Sequence, residues 1–379
     1  MKKALICTAL AGFIRSFLCN DIKILQSMGY EVHCAANIKH NGSDGMEEFF
    51  KENNVLFHQI DFSSNKPISK KTLDSYRQIR RLVNTNKYDF IHVHTPIPGV
   101  LVREACKNQR KKGLIVAYTT HGFYFHKNSS RKSWLCYHTV ESLMSRYTDA
   151  MITINHEDYE NAKKMHCPRV YYIPGVGVDT GKFINTEIER TKYRKAIGVS
   201  ENATMILAVG ELSRRKNHGV VIEAISKIKD SSNIVFVICG NAMTAENTKD
   251  ELEVSAKEKG VNLILLGLRK DIPEICKCAD IGVMPSSREG LGLSGIEMLA
   301  SGLPVIGSKV HGIVDYINDG VNGYLCDPNS SEEFAHSIEN LMGKQKRDSM
   351  KDACIKSSLP FDISQSHQKM GKIYKELLV

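Results

Sequence analysis

The sequence predicts an α/β protein made of two doubly wound, Rossmann-like domains. Three observations carry that expectation. Short apolar runs rich in β-branched residues alternate with amphipathic stretches of helical spacing, the pattern of parallel strands covered by helices on both faces. Many of those runs end at Gly, Ser, Thr or His-Gly, as chains do where they leave the carboxyl edge of a sheet. A Gly-rich segment near the middle divides 379 residues into two series, and at roughly 150 residues per domain the length suits two.

The chain opens with Met1-Lys2-Lys3 and the apolar stretch Ala4 to Ile14, which has the outline of a short signal peptide. No small-x-small cleavage pattern follows. Arg15 comes next, then an amphipathic run with Ile22, Ile24, Leu25 and Met28 that Gly29 stops, and then the strand-like run Tyr30 to Ala36. Strand, turn, helix and strand open a βαβ unit, so the first residues read as structure and not as a leader. FIHV (90–93), LIVAY (114–118), AMITI (150–154) and VYYI (170–173) continue the first series, and Pro174 to Phe183 reads as a linker. The second series runs through MILAV (205–209), IVFVI (234–238), Leu263 to Leu266, Ile281 to Met284 and Pro304 to Ile306, with an apolar helix at Ile296 to Ala300. The last twenty residues form an amphipathic helix. The expected domains are therefore 1–178 and 184–358, with a helix at about 360–379 packing back on the first. Ligands of open α/β sheets bind at carboxyl edges, so two such domains facing across a cleft would share a site.

Composition excludes several classes. Apolar residues make up 42% and charged residues 25%, too ordinary a mix for disorder, collagen or coiled coil. No charge-free stretch reaches the length of a spanning helix. The net charge of +9 is uneven: residues 1–180 hold 25 Lys+Arg and 16 Asp+Glu (25 − 16 = +9), leaving 26 of each sign in residues 181–379. Such a half meets phosphate, an acidic lipid surface or nucleic acid, unless it is simply a solvated basic face. No recognition motif or aromatic-interleaved basic stretch supports nucleic acid. Eleven Cys without a CxxC pair read as free thiols in a reducing cytosol, and Cys276 and Cys278 stand too close for a zinc knuckle.

Four segments carry candidate chemistry. In SSREGLGLSGIEMLASG (286–302), Glu289 lies in a loop, Gly290 and Gly292 let backbone approach a ligand, and a helix begins near Leu293 or Ser294. Its free N–H groups suit a diphosphate, and Glu297, expected in its first turn, suits a ribose diol. The spacing alone fits a loop with two ordinary surface glutamates equally well. In VGELSRRKNH (209–218), the triplet Arg214-Arg215-Lys216 follows a strand end and could neutralise a diphosphate, although a solvated basic turn is the commoner case. Thr120-His121-Gly122 ends a strand of the first series. A neutral His there can hydrogen-bond a sugar or the reacting centre, or be a satisfied structural residue. Gly12, in Ala11-Gly12-Phe13, marks the first βα turn.

Together these segments resemble the retaining glycosyltransferases of family 4, which have the two-domain GT-B fold. EGLGLSGIE (289–297) is similar to that family's E-x7-E signature and continues into MLASGLPVIGSKVHGIVDYINDGVNGYL. VGELSRRKNH resembles its Lys-containing motif, and LLGLRKDIPEICKCADIGVMPS resembles the segment between. IHVHTPIPG and TTHGFYF are similar to the capsular and exopolysaccharide branch. The resemblance spans nearly the whole chain and is densest in the second half.

It implies roles position by position. Glu289 would contact donor-sugar hydroxyls with the backbone of Gly290, Leu291 and Gly292 beside it. Leu293 and Ser294 would offer N–H groups to the diphosphate, Lys216 would meet it, and Gly12 would close over it. Glu297 would hold the ribose, His121 would sit near the anomeric carbon, and backbone around Leu268 and Arg269 would meet the base. One departure stands out: where the family has Arg after the glycine matching Gly210, this chain has Glu211, and Arg214 or Arg215 would supply that cation.

The implied activity is transfer of a sugar from a UDP-linked donor (UDP-GlcNAc, UDP-GalNAc or UDP-glucose) to a hydroxyl of a lipid diphosphate-linked saccharide, in capsule or exopolysaccharide synthesis, with retention. A sugar-nucleotide 2-epimerase-like isomerase and a non-catalytic nucleotide-sugar-binding subunit are the alternatives. No two Asp lie two apart, so an Asp-x-Asp metal motif is absent and no cofactor is expected, protein cations serving instead. The basic segments Arg77 to Arg81, Lys107 to Lys112 and Lys127 to Lys132 fit an anionic surface at the inner face of the cell membrane, so the expected location is cytoplasmic and peripheral.

Overall fold

A computed structural model describes residues 1–39, 43–63, 67–127, 129–242 and 247–379. Asn128, inside the basic segment 127–132, lies outside the described residues.

The chain divides into two compact units, Met1–Val176 with Ser364–Val379, and Gly177–Ile363. The first is a seven-stranded sheet: β1 (Lys2–Leu10), β2 (Tyr30–Asn37), β3 (Leu56–Gln59), β4 (Phe90–His94), β5 (Ile115–Thr119), β6 (Ala150–Thr153) and β7 (Val170–Tyr172), in the order β3-β2-β1-β4-β5-β6-β7. All pairings are parallel; Leu5 of β1, for example, registers with His33 of β2 and Ile91 of β4. β4 is buried throughout and β1 is buried from Ala4 to Ala9, as a sheet covered on both faces requires. The order reverses between β1 and β4, so the carboxyl ends of those strands flank the switch point where open sheets take ligands.

The second unit repeats the plan with β8 (Thr204–Val209), β9 (Ile234–Cys239), β10 (Asn262–Gly267), β11 (Ile281–Met284), β12 (Val305–Ser308) and β13 (Gly323–Cys326), in the order β10-β9-β8-β11-β12-β13. Its switch point lies between β8 and β11.

One element of the reading changes. The stretch read as a linker, Pro174 to Phe183, is largely structured: Thr180–Asn185 is a helix capped by Asp179, and the chain passes between units at Val176–Gly177. That crossing is pinned to the return crossing, because Val178 N–H donates to Phe361 O (3.0 Å) and Ile363 N–H to Val178 O (2.9 Å). A Cβ on Gly177 would stand 2.4 Å from Ile363 Cα, so only glycine admits this approach. The C-terminal helix spans Ile363–Leu378 and buries Met370, Ile373, Tyr374 and Leu377.

Candidate active site

The switch point of the second unit gathers most of the candidate residues. β8 ends at Val209 and the chain turns through Gly210, whose missing side chain leaves room for Lys216; a Cβ there would lie 2.9 Å from Lys216 Cε. A short helical turn, Arg214–Lys216, is followed by Asn217 at φ +55°, a left-handed position that Asn tolerates. Asn217 Nδ2 donates to Pro285 O (3.1 Å) and Pro328 O (2.8 Å), which ties this loop to the end of β11. Glu289 is thereby reached from two sides. Its Oε1 accepts from Lys216 Nζ at 2.6 Å, Arg215 Nη1 at 2.8 Å and Ser286 Oγ at 2.9 Å. Burial pushes this carboxyl up, but Lys216 and Arg215 outweigh burial and hold it below the usual carboxylate range. Glu289 is a buried, ionised acceptor with two cations in place.

The basic triplet does not act as one cluster. Arg214 turns away to Glu251 (2.7 Å) and is exposed. Arg215 bridges Glu289 and Glu211, each at 2.8 Å. The Glu211 that replaces the family arginine therefore shares Arg215 with Glu289, and Arg215, not Arg214, is the arginine at this edge.

Gly292 (φ +80°) caps the helix Leu293–Ala300. Gly290 and Gly292 were expected to admit a ligand, yet their neighbourhood also shows tight internal packing. A Cβ on Gly292 would meet Met284 Cε at 2.8 Å, one on Gly295 would meet Tyr316 OH at 2.2 Å, and one on Gly312 would meet Gly290 O at 2.5 Å. Tyr316, buried, also donates to Gly292 O (3.3 Å). Leu291 is buried beneath, and the N–H groups of Leu293 and Ser294 lie at the open first turn, where an anion is favoured.

Glu297 is the fifth residue of this helix, so it lies past the first turn, where dipole stabilisation fades. Burial dominates instead. It raises the carboxyl to about 7, against the opposing pull of Lys182 and Lys216. The Glu297 carboxyl has no hydrogen bond or ion pair among the described residues. It is a half-buried carboxyl with no protein donor on it among the described residues. Lys182, in the stretch read as linker, is one of the two cations that act on it. Leu268 is exposed after β10, at the sheet's edge, and Arg269 there is held by Asp271 through Nε at 2.9 Å.

In the first unit, Gly12 is the second residue of the helix Ala11–Phe17 rather than part of an open turn. His121 follows β5. Its Nε2 lies 3.2 Å from His94 Nδ1, and its ring meets Phe13 edge-on at 4.9 Å. His92 is bound to Tyr374 OH (2.6 Å) and Thr119 Oγ1 (2.7 Å), and Tyr374 donates to Asp21 (2.9 Å). Burial drives all three histidines toward the neutral form, His121 to about 4 and His92 to about 3. His94 Nε2 has no hydrogen-bond partner among the described residues, and His94 lines a cavity of about 20 Å³, room for about one water. Thr95, after β4, stands at φ +67°, a strained position for a β-branched residue of the kind that clusters at functional edges.

Sequence reasoning missed Ser286, Asn217, Lys182, Tyr316 and His94. Asn217 and His94 each had a local signal, an Asn between a basic turn and a helix and an HxH strand end. Ser286 stands only three residues before Glu289, whereas Lys182 and Tyr316 reach the site only through tertiary packing.

Family profiles match both units: residues 189–357 match "Glycosyl transferases group 1" and residues 6–155 match "Glycosyl transferase 4-like". EpsD of Bacillus subtilis, a protein assigned as a glycosyltransferase, is 33% identical over 379 residues, covering 98% of this chain and 96% of its own. The chain belongs to the group 1 glycosyltransferases. Among other relatives of this glycosyltransferase is the Escherichia coli UDP-Gal:alpha-D-GlcNAc-diphosphoundecaprenol alpha-1,3-galactosyltransferase, 28% identical over 317 residues, covering 82% of this chain and 81% of that protein. The crystal structure of Anabaena HepE in complex with UDP and glucose superposes with a TM-score of 0.78 at 19% identity, covering both chains fully, which places the fold among GT-B proteins. The protein is thus a transferase enzyme of GT-B fold.

Proposed function

We propose that this enzyme moves a sugar from a UDP-linked donor to a hydroxyl of a lipid diphosphate-linked saccharide in cell-surface polysaccharide synthesis, with retention at the anomeric carbon. The observation that supports it best is the convergence at one switch point of Lys216, the ionised Glu289, an open helix amino end and the unpartnered Glu297 carboxyl. Each has a task. Glu289 accepts donor-sugar hydroxyls while its two cations keep it charged. Glu297 accepts the ribose diol, and the N–H groups at Leu293 and Ser294 take the diphosphate. Lys216, with one donor on Glu289 and two to spare, stabilises the departing diphosphate, which is where charge develops.

In this reading Arg215 supports Lys216 in place of the family arginine, Gly12 and the backbone at Leu268 and Arg269 serve the donor as the resemblance implies, and no metal is required. A neutral His121 can hydrogen-bond the reacting sugar without opposing positive charge at the anomeric carbon. The leaving phosphate takes the acceptor proton, so no separate base is assigned. Transfer is favoured over epimerisation because the curated relatives named above are transferases, and the lipid-linked acceptor follows the galactosyltransferase among them. The place of action is the inner face of the cell membrane.

A thermal-shift panel of nucleotide sugars tests the donor. A bound donor at 100 times its dissociation constant stabilises the protein by about 2.7 kcal/mol. UDP-sugars should shift the unfolding midpoint, and a polyprenyl diphosphate-linked saccharide should then accept label from the best of them. No shift with any nucleotide sugar would overturn the reading.

A further inference from the structure

The second unit has a cavity of about 840 Å³ at the edge of its sheet opposite the switch point. Its walls include Thr204, Asp280 and Pro304, at the amino ends of β8, β11 and β12. Six of the lining side chains are Lys or Arg and three are Asp or Glu, so cations dominate. The arginines are accounted for within the protein. Asp280, buried, pairs with Arg194, with Arg190 at 2.8 Å and with Arg347 at 3.2 Å. Arg194 also donates to Ala203 O (2.9 Å) and Arg347 to Met342 O (2.6 Å). This cluster is structural, and its one carboxylate balances only one of three charges.

The lysines are not accounted for. Lys277, in the helix Ile272–Cys278, donates to Ile184 O (3.0 Å) and Ser301 O (3.4 Å), which leaves one of its three donors. Lys351, in the helix Lys344–Ser358, lies against Gly302 (φ +80°), where a Cβ would stand 2.8 Å from Lys351 Cγ. The glycine makes room for this long side chain, and its charge falls on Lys277. Burial first, and then Lys351, hold the Lys277 ammonium below the ordinary lysine range. Lys344 adds a third cation in the first turn of its helix, where the dipole disfavours it. None of Lys277, Lys344 and Lys351 has an ion-pair partner among the described residues, although Asp348 lines the same cavity. Like charges gathered in a recess without carboxylates between them are stabilised by an anion that enters from outside.

We propose that this cavity is a binding site for a small phosphate ester, its phosphate held by Lys277 and Lys351 with Lys344 adding charge. A dianionic phosphate neutralises two lysines, which act on it as point charges. The volume falls within the roughly 300–1,000 Å³ of small-molecule sites, so an ester fills it better than inorganic phosphate does. The site shares no residue with the switch-point edge. Its failure would leave the sugar-transfer reading untouched, and the reverse also holds.

Pyridoxal 5′-phosphate is the probe. Its aldehyde condenses with a lysine Nζ close to its phosphate, with loss of water, and borohydride reduces the imine. The full-length protein is labelled with UDP present throughout, and modified lysines are mapped by mass spectrometry. Labelling of Lys216 then reports on the donor site separately. Lys277 or Lys351 should be modified ahead of Lys346 and Lys356, exposed lysines of the same helix as Lys351 that lie outside the cavity. Glucose 6-phosphate should slow that modification at a lower concentration than inorganic phosphate. Lys351→Gln, at an exposed position with no ion pair to lose, should weaken the probe's hold at Lys277 roughly tenfold, the worth of one charge-assisted hydrogen bond. Its unfolding midpoint should stay near wild type. Four results would overturn the proposal: pyridoxal, which lacks the phosphate, labelling Lys277 and Lys351 as fast (reactive amines without a phosphate site); Lys346 or Lys356 labelled as fast as either; glucose 6-phosphate protecting no better than inorganic phosphate (an adventitious ion only); or undiminished labelling of Lys277 in the Lys351→Gln variant.

Discussion

Glu297→Gln should make the free enzyme more stable, and only at neutral to alkaline pH. The carboxyl titrates near 7 in the folded chain against an ordinary 4.5, raised by burial. The folded state therefore holds this proton more tightly than the unfolded one, so stability contributed by the protonated form is present at low pH and lost as pH rises through 7. Integrating between those two values gives a penalty under about 1 kcal/mol at pH 5 and about 3 kcal/mol at pH 8. A neutral amide removes it. For a unit the size of Gly177–Ile363, about 3 kcal/mol corresponds to roughly 6–12 °C in unfolding midpoint. The assay is calorimetry of wild type and variant at pH 5 and pH 8, with and without UDP. The variant should gain midpoint at pH 8, gain little at pH 5, and lose much of the additional stability that UDP confers, because an amide accepts two ribose hydroxyls less well than a carboxylate. A loss of midpoint at pH 8, or a gain equal at both pH values, would refute the assignment of Glu297 as an uncompensated carboxyl kept for a ligand.

Four further outcomes follow from the same geometry. Glu289→Ala should lower turnover more than UDP affinity, whereas Glu297→Ala should weaken UDP binding first; equal loss of UDP affinity in both, by calorimetric titration, contradicts those roles. Glu289→Ala should also lower stability by about 3 kcal/mol or more, because Lys216 and Arg215 lose a buried counter-charge. Arg214→Ala should leave kcat near wild type while Arg215→Ala reduces it, since Arg214 faces Glu251 and Arg215 holds Glu289; steady-state kinetics decide. Gly295→Ala should destabilise by about 1–3 kcal/mol through the Tyr316 hydroxyl, and chemical denaturation should find part of that restored by Tyr316→Val.

Much of the fold was readable because its strands announce themselves. MILAV and IVFVI are uninterrupted apolar runs closed by Gly, and both are parallel, buried strands, β8 and β9. β3 (Leu56–Gln59) was missed, since an edge strand with His58 and Gln59 exposes too much to keep a continuous apolar run. β13 (Gly323–Cys326) was missed for a different reason. Its glycine reads as a turn, yet a Cβ there would lie 1.9 Å from Val305 O, so the glycine permits a close backbone approach inside the sheet.

The same contrast runs through the site. Glu289 and Glu297 stood out by their spacing around a Gly-rich loop. That spacing put Glu297 near the helix dipole, whereas the fifth position and burial give it the opposite electrostatics. The triplet Arg214-Arg215-Lys216 read as one charge cluster, but a short helical turn points successive side chains in different directions. One finds Glu251, one finds Glu211 and Glu289, and one finds Glu289 alone. Lys182 and Tyr316 carried no local signal because their contribution is made across long sequence separations.

By itself the sequence determined most of the strands, that two parallel sheets form, and which loops carry carboxylates, glycines and cations, because periodicity and turn chemistry act over a few neighbouring residues. Only the tertiary structure decided which of those charges meet, which glycine faces a tyrosine, and which carboxyl is ionised. Those properties depend on distance and on exclusion of water, and both are set by chain segments far apart in sequence.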